Sequence, residues 1–339
     1  MHVAIFGMGY WGKNILRNLL QFESIHKITI CEPVSISPDF TLSFSDARLH
    51  YATRSSDIIQ DYTIDAVFIV TPSETHFQIA SDALQSGKHV FVEKPVTTSS
   101  VDLEALISLA RKQRKILFPS HTYLYTKEIE KLKKMIHTDC LIGKPLLYQS
   151  NRSNFGRFRS DKNVAWDLAV HDLYIIKHIF SQQPISVSAT GFKIDNNFPE
   201  VVSNININYD GGLNVSIVTN WVSPKKIRDI VIVGSDGAFF YDDCLTENKI
   251  THFNQDIPND LRNVNYNNLS KKQFVQVEKG EAIYEQIRSF LNEIKNMNLN
   301  NTTAKFGLEI IKTLEAIDIS IKNNGVPIYS QHKRAVYES

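Results

Sequence analysis

The sequence predicts an α/β chain in two parts: an N-terminal doubly wound parallel sheet, then an α+β domain built on a large open, mostly antiparallel sheet. Two observations carry this. From residue 2 to about 119, short β-branched or aromatic runs alternate with helical patterns, as in a parallel sheet covered by helices. After a helix near residues 127 to 137, strand-like runs follow one another through Gly, Asn and Pro turns, the mark of antiparallel pairing. With 339 residues, 42% of them hydrophobic, the chain can bury more than one core.

The first part reads as six strands, HVAIF, KITIC, RLHYA, DAVFIV, HVFVE and ILFPS, separated by segments such as WGKNILRNLLQF and SVDLEALISLARKQ. DAVFIV is almost wholly apolar, as a central parallel strand buried on both faces must be. The second part supplies LLYQSNRS, ISVSATGFKI, SNININ, LNVSIVTNWV, RDIVIVGS and AFFYDD, interrupted by one helix around AWDLAVHDLYIIKHIF. Two helices, roughly 281 to 296 and 304 to 322, close the chain, with Gly325 and Pro327 as stop signals. The expected domains are 1–120, 121–303, and a C-terminal helix and tail, 304–339, packing back toward the first. The Asn-rich stretch 254–270 is expected to be the mobile loop. The open sheet should leave a wide apolar face, so a homo-oligomer, dimer or tetramer, is expected through it.

Charge narrows the partners. The 37 basic residues nearly cancel the 36 acidic ones without like-charge blocks, leaving no electrostatic footprint for nucleic acid or an anionic membrane. No run approaches the ~20 apolar residues a membrane helix needs, and no secretory leader is visible, so a cytoplasmic location is expected. Cys31, Cys140 and Cys244 are odd in number and far apart, with no ligand-spaced partners, which argues against disulfides and a bound metal. The partner expected is a small molecule.

HVAIF runs into Gly7-Met8-Gly9-Tyr10-Trp11-Gly12, which opens the first helix. This is the strand–turn–helix context in which G-x-G-x-x-G binds a dinucleotide pyrophosphate. About twenty residues on, at the end of the second strand, Glu32 can accept both adenosine ribose hydroxyls. It would repel a 2′-phosphate, and Pro33 to Pro38 contains no basic residue, so NAD is expected rather than NADP.

With these residues in view, the sequence resembles the glucose-fructose oxidoreductase, inositol dehydrogenase and MocA family, Gfo/Idh/MocA. Four features carry the resemblance: the glycine loop; Thr71-Pro72, with His76 four residues beyond the proline; Glu93-Lys94-Pro95; and Asp167-x-x-x-His171. It implies a Rossmann domain followed by a catalytic sheet domain. It adds Thr71, Pro72, His76, Glu93 and Lys94 to Gly7, Gly9, Tyr10, Trp11, Gly12 and Glu32 as the cofactor set, and implies a cis Lys94-Pro95 peptide. Lys94, Asp167 and His171 become the catalytic set. Asp167 and His171, four apart on a helix, share one face. His171, whose unperturbed pKa of ~6.5 suits a general base, would take an alcohol proton while hydride leaves for the nicotinamide. Lys94 would stabilise the alkoxide. The sequence leaves open which of Lys94 and His171 takes the proton.

Arg152, Arg157 and Arg159 precede the catalytic helix, as an anion grip or as a solvated loop. Within the family, FGRFRSDKNVAWDLAVHDL is similar to members that oxidise a UDP-linked N-acetylhexosamine, or its uronic acid, at carbon 3 for surface-polysaccharide synthesis. His121 and Tyr123 are expected to line the same pocket. Two other readings stand beside this one: a free-sugar, inositol or polyol dehydrogenase of the same family, and a dinucleotide-binding sensor without turnover.

Overall fold

The structure, a computed structural model, describes residues 1–32, 44–156, 158–254 and 271–330. The expected mobile loop therefore lies almost entirely outside the described residues. The chain divides into two compact units, Met1–Tyr125 with Glu281–Ile311, and Thr126–Gly280 with the chain from Lys312 onward. Among the described residues no helix is long and apolar enough to cross a membrane.

Unit 1 is the predicted parallel sheet. Its strands are β1 (His2–Phe6), β2 (Lys27–Cys31), β3 (Leu49–Ala52), β4 (Ala66–Ile69), β5 (His89–Val92) and β6 (Leu117–Pro119). They lie in the order β3-β2-β1-β4-β5-β6, every pair parallel. This is the strand order of a dinucleotide-binding Rossmann sheet, whose ligands lie beyond the carboxyl ends of the strands. The helix Ala282–Lys295 also belongs to this unit, although the sequence expectation grouped it with residues 121–303. Its apolar residues Ile283, Ile287, Phe290 and Leu291 recur at helical spacing and are buried. Phe290 packs 5.5 Å, 5.7 Å and 5.4 Å from the rings of Phe68, Phe91 and Phe118 on β4, β5 and β6. An aromatic cluster of this kind holds a helix to a sheet across any sequence distance.

The division between units falls inside the last helix, Thr302–Lys322, rather than at 303/304. Unit 2 carries a nine-stranded sheet of β7 (Pro145–Phe155), β8 (Pro184–Phe192), β9 (Val202–Tyr209), β10 (Asn214–Asn220), β11 (Val222–Gly234), β12 (Ala238–Asp242), β13 (Ile250–Asn254), β14 (Lys271–Val275) and β15 (Ile328–Tyr329). The order is β14-β13-β12-β11-β7-β10-β9-β8-β15, antiparallel except between β7 and β10.

One face of this sheet is buried, with Tyr148, Ile205, Ile207, Val215, Ile217, Ile230 and Ile232 in the core. The other face departs from the expected wide apolar surface. Across five strands its register runs Asn206, Ser216, Gln149, Val231, Phe240, and Asn204, Asn206 and Asn208 on β9 are all exposed. Period-2 alternation puts Asn204, Asn206 and Asn208 on the outward face of VSNININY, with Val202 at its start. Among the described residues its larger apolar side chains gather toward the β11–β14 end, with Val231, Phe240, Phe253 and Phe274.

Candidate active site

In unit 1 the glycine loop follows β1 directly. Gly7 has φ +91°, a left-handed conformation, and any side chain there would press on the Val70 carbonyl and the Thr71 nitrogen. A side chain at Gly12 would run into the carbonyl oxygen of Gly7, whereas Gly9 faces open space. A tight turn, an open approach and a close helix contact are the three conditions a pyrophosphate cradle imposes on its glycines. The helix Tyr10–Leu19 starts there, offering its first N–H groups. Tyr10 and Trp11 are exposed beside the loop, their rings edge-on at 5.4 Å. Glu32 reaches the same loop, and its Oε2 accepts the Met8 N–H at 2.7 Å. The residues present thus fit a dinucleotide.

The Glu93-Lys94-Pro95 segment leaves the carboxyl end of β5, on the same sheet edge as the glycine loop after β1. The Lys94–Pro95 peptide is cis, as the resemblance implied. Lys94 is half-buried. The Glu93 carboxylate turns back along its own chain: Oε2 accepts the Lys94 N–H at 3.1 Å, and Oε1 accepts the Ser120 hydroxyl at 2.7 Å. His76 stands behind the loop rather than on its open side. It is buried, with Nδ1 2.8 Å from the Pro95 carbonyl oxygen and Nε2 2.8 Å from that of Thr71. Its ring therefore ties the Thr71-Pro72 turn to the residue after Lys94. The Thr71 hydroxyl is itself engaged, with Thr75 Oγ1 at 2.6 Å.

His121 follows β6, just after Ser120. It is fully buried, and desolvation pushes its pKa down to about 3, so its ring is neutral. Tyr123 lies half-buried on the turn Thr122–Tyr125.

In unit 2, Asp167 sits in a π-helical turn, Ala165–Ala169, that leads into the helix Val170–Phe180. Such wide turns inside helices recur at functional sites. Asp167 and His171 are half-buried, whereas their neighbours Trp166, Leu168, Val170 and Asp172 are buried. The π-turn is fixed from several directions. Asn163 Oδ1 accepts the Ala165 N–H at 3.1 Å. Asp318 accepts the Trp166 indole N–H and the Asn163 amide, each at 2.8 Å. Trp221, buried at the end of β10, donates its indole N–H to Asp167 Oδ2 at 3.0 Å.

Arg152 is not a loop side chain presented to substrate. On β7 it alternates with Tyr148 and Ser150 on the buried face, and its Nε donates to Asp172 Oδ2 at 2.6 Å. Tyr148 donates its hydroxyl to Asp172 Oδ1 at 2.8 Å. Burial and the Asp172 carboxylate hold that phenol protonated far above its ordinary range. Arg159 forms a two-point ion pair with Asp161, at 3.0 Å and 2.9 Å, and Arg157 lies outside the described residues. Sequence reasoning missed Ser120, Asp172, Trp221 and Gln286. Only Trp221 left a signal, since a tryptophan closing a strand needs a partner for its N–H once it is buried.

Two family models match the chain: an oxidoreductase family with an NAD-binding Rossmann fold over residues 1–121, and a GFO/IDH/MocA C-terminal domain over residues 129–240. The chain belongs to the Gfo/Idh/MocA oxidoreductase family. One relative is UDP-N-acetylglucosamine 3-dehydrogenase of Acidithiobacillus ferrooxidans, 33% identical over 129 residues, which cover 38% of this chain and 40% of that protein. Another is the scyllo-inositol 2-dehydrogenase of Bacillus subtilis, 28% identical over 196 residues, 54% of this chain and 57% of that one. By sequence, therefore, the chain spans about half the length of these relatives. A solved structure of the Acidithiobacillus ferrooxidans enzyme superimposes with a TM-score of 0.79 at 20% identity, covering 95% of this chain and 98% of that one. Within the Gfo/Idh/MocA family the two-part architecture is thus shared along almost the whole chain.

Proposed function

We propose that the chain is an NAD-dependent dehydrogenase that oxidises a secondary hydroxyl of a sugar, with UDP-N-acetylhexosamine or its uronic acid, oxidised at carbon 3, as the substrate. One observation carries the oxidoreductase reading: a glycine loop shaped for a dinucleotide and a fixed lysine, Lys94, emerge from the same edge of the unit 1 sheet. Gly7, Gly9, Gly12 and the N-terminus of the helix Tyr10–Leu19 would hold the pyrophosphate. Glu32 would turn from the Met8 N–H toward the ribose hydroxyls, a carboxylate being the group that favours NAD over its 2′-phosphorylated form. When bound, the nicotinamide accepts the hydride from the substrate carbon. His171 would take the hydroxyl proton, Lys94 would stabilise the alkoxide that becomes the carbonyl, and Asp167 would orient the neighbouring hydroxyls. The C–H electron pair leaves as hydride and the O–H proton goes to imidazole, so the reaction balances.

The nucleotide-sugar assignment draws support from the Acidithiobacillus ferrooxidans relative. The Bacillus subtilis relative supports a second reading, a polyol dehydrogenase with the same machinery. The homo-oligomer proposed through the open sheet would cover the apolar end of that face, with Val231, Phe240 and Phe274.

The test is reduced-nicotinamide absorbance on mixing stoichiometric enzyme and NAD, or NADP, with UDP-N-acetylglucosamine, its uronic acid, free glucose and inositol. A rise with NAD and a UDP-sugar is expected, reduced ~10²-fold or more by Lys94→Ala. A rise with inositol or glucose alone replaces the nucleotide sugar. No rise with any of them, despite NAD binding, returns the sensor reading.

A further inference from the structure

The polar atoms behind Glu93 form a chain that the dehydrogenase chemistry does not by itself require. Gln286, on the helix Ala282–Lys295, is fully buried beside the ends of β5 and β6. Its amide tip lies 3.3 Å from Ser120 Oγ and 3.3 Å from Thr122 Oγ1. With Oε1 toward the hydroxyls, Nε2 remains buried without a partner. The single Ser120 hydrogen is then shared between Gln286 and the Glu93 Oε1 atom 2.7 Å away, and a hydroxyl has one hydrogen to give. An amide's oxygen and nitrogen are told apart by their partners. Turned over, Nε2 donates to both hydroxyls, Ser120 is released to donate to Glu93, and the conflict disappears. What then remains buried without a partner is a carbonyl acceptor, a lesser cost than two stranded N–H donors.

We propose that Gln286 and Ser120 are positioning residues for Lys94, acting through the Glu93 carboxylate. The amide donates to the hydroxyl, the hydroxyl to Glu93 Oε1, and the Lys94 N–H to Glu93 Oε2. On the far side, His76 Nδ1 stands against the Pro95 carbonyl oxygen. Lys94 is therefore held by the residue before it, with the His76 ring packed against the residue after it, and the carboxylate that holds it is aimed by a residue nearly two hundred positions away. Hydrogen bonds to a charged acceptor are the stronger kind, and the burial of Ser120 and Gln286 shields them from water. A displacement of about 1 Å at a catalytic group can cost up to ~10²-fold in rate, so loss of the brace is expected to lower turnover without weakening cofactor binding.

The inference rests on the proposed dehydrogenase reading only for its kinetic readout, so a second readout is independent of turnover. Full-length protein saturated with NAD is labelled with trace acetic anhydride, and the ratio of acetylation at Lys94 to that at exposed Lys134 is read by mass spectrometry. Ser120→Ala and Gln286→Met are each expected to raise the ratio threefold or more, with Ser120→Thr returning it close to the parent. With a substrate that the parent oxidises, Ser120→Ala should lower kcat about tenfold and leave the Kd for NAD within twofold. An unchanged labelling ratio in both variants overturns the brace, as does a Kd that rises tenfold while kcat holds. A ratio that moves in the variants while the parent oxidises nothing sustains the brace and sinks the dehydrogenase reading instead.

Discussion

Lys94 in unit 1 and Asp167 in unit 2 are mounted by different physics. Lys94 sits just past a strand end, and its mounting runs through backbone groups: its own N–H is bound to Glu93 and the next carbonyl faces His76. Asp167 sits on a widened helical turn, and its side chain accepts the indole N–H of Trp221. Beneath it the helix is held by charge, through the wholly buried Asp172 with Arg152 and Tyr148. A site held by hydrogen bonds to a half-buried carboxylate beside its strand should lose precision before stability. A site resting on a buried ion pair should lose stability first, because removing one partner of such a pair leaves the other charge in low dielectric.

The largest expected effect tests that contrast directly. Asp172→Ala removes the carboxylate offsetting the buried Arg152 guanidinium, and is expected to destabilise the protein by about 3–5 kcal/mol in urea denaturation. Replacing the pair and its tyrosine together, Tyr148→Phe with Arg152→Met and Asp172→Leu, should recover much of that loss, because the charges are costly to bury in the first place. If Asp172→Ala costs less than 1 kcal/mol, unit 2 does not rest on this pair and the contrast between the two mountings fails.

What the sequence disclosed follows the same divide. The alternating strands and helices, the glycine loop and the Glu93-Lys94-Pro95 turn were legible because each is a local pattern whose geometry is set within a few residues. The clamp on Lys94 was not, since its hydroxyl lies 27 residues from Glu93 and 166 from Gln286. Trp221 reaches Asp167 across 54 residues. Arg152 was misplaced because an arginine in a run of Arg, Asn and Ser looks solvated, although the alternation of Tyr148, Ser150 and Arg152 along β7 sets it inward. The helix Ala282–Lys295 showed its apolar stripe in sequence but not which sheet the stripe covers, a question that only the Phe68, Phe91 and Phe118 rings answer.

A smaller effect sharpens the comparison at the aspartate. Trp221→Phe keeps most of the buried ring and deletes only the N–H given to Asp167 Oδ2. The net cost of losing one hydrogen bond to a charged group is about 1.5–3 kcal/mol. Asp167 is half-buried, so water replaces part of the bond, and global stability should fall by no more than about 1 kcal/mol. On the proposed role of Asp167, the functional loss should show in substrate KM, raised about tenfold as the carboxylate loses its orientation, with the Kd for NAD unchanged. Equal losses in stability and KM would instead make Trp221 a packing residue.

The smallest effect concerns protons. Burial holds the ring of His121 at a pKa of about 3 and lowers that of His89 to about 4 and that of His2, all in unit 1; in unit 2 it takes His178 to about 4. Each folded pKa lies below the unfolded value of ~6.5, so the unfolded chain binds protons that the folded chain refuses. Stability is therefore full above about pH 6.5 and declines as pH falls toward 4. Three of these four rings lie in unit 1, so acid should act there first. Hydrogen exchange is expected to accelerate in β1 and β5 between pH 6.5 and 4.5 before it does in β9 and β10, once intrinsic exchange rates are divided out. His121→Phe, which fills the same buried space without a titrating nitrogen, should cut proton uptake on unfolding by close to one and delay that loosening. Exchange that accelerates equally in both units would mean that the neutral histidines do not set the acid limit, and that the carboxylates shared by both units do.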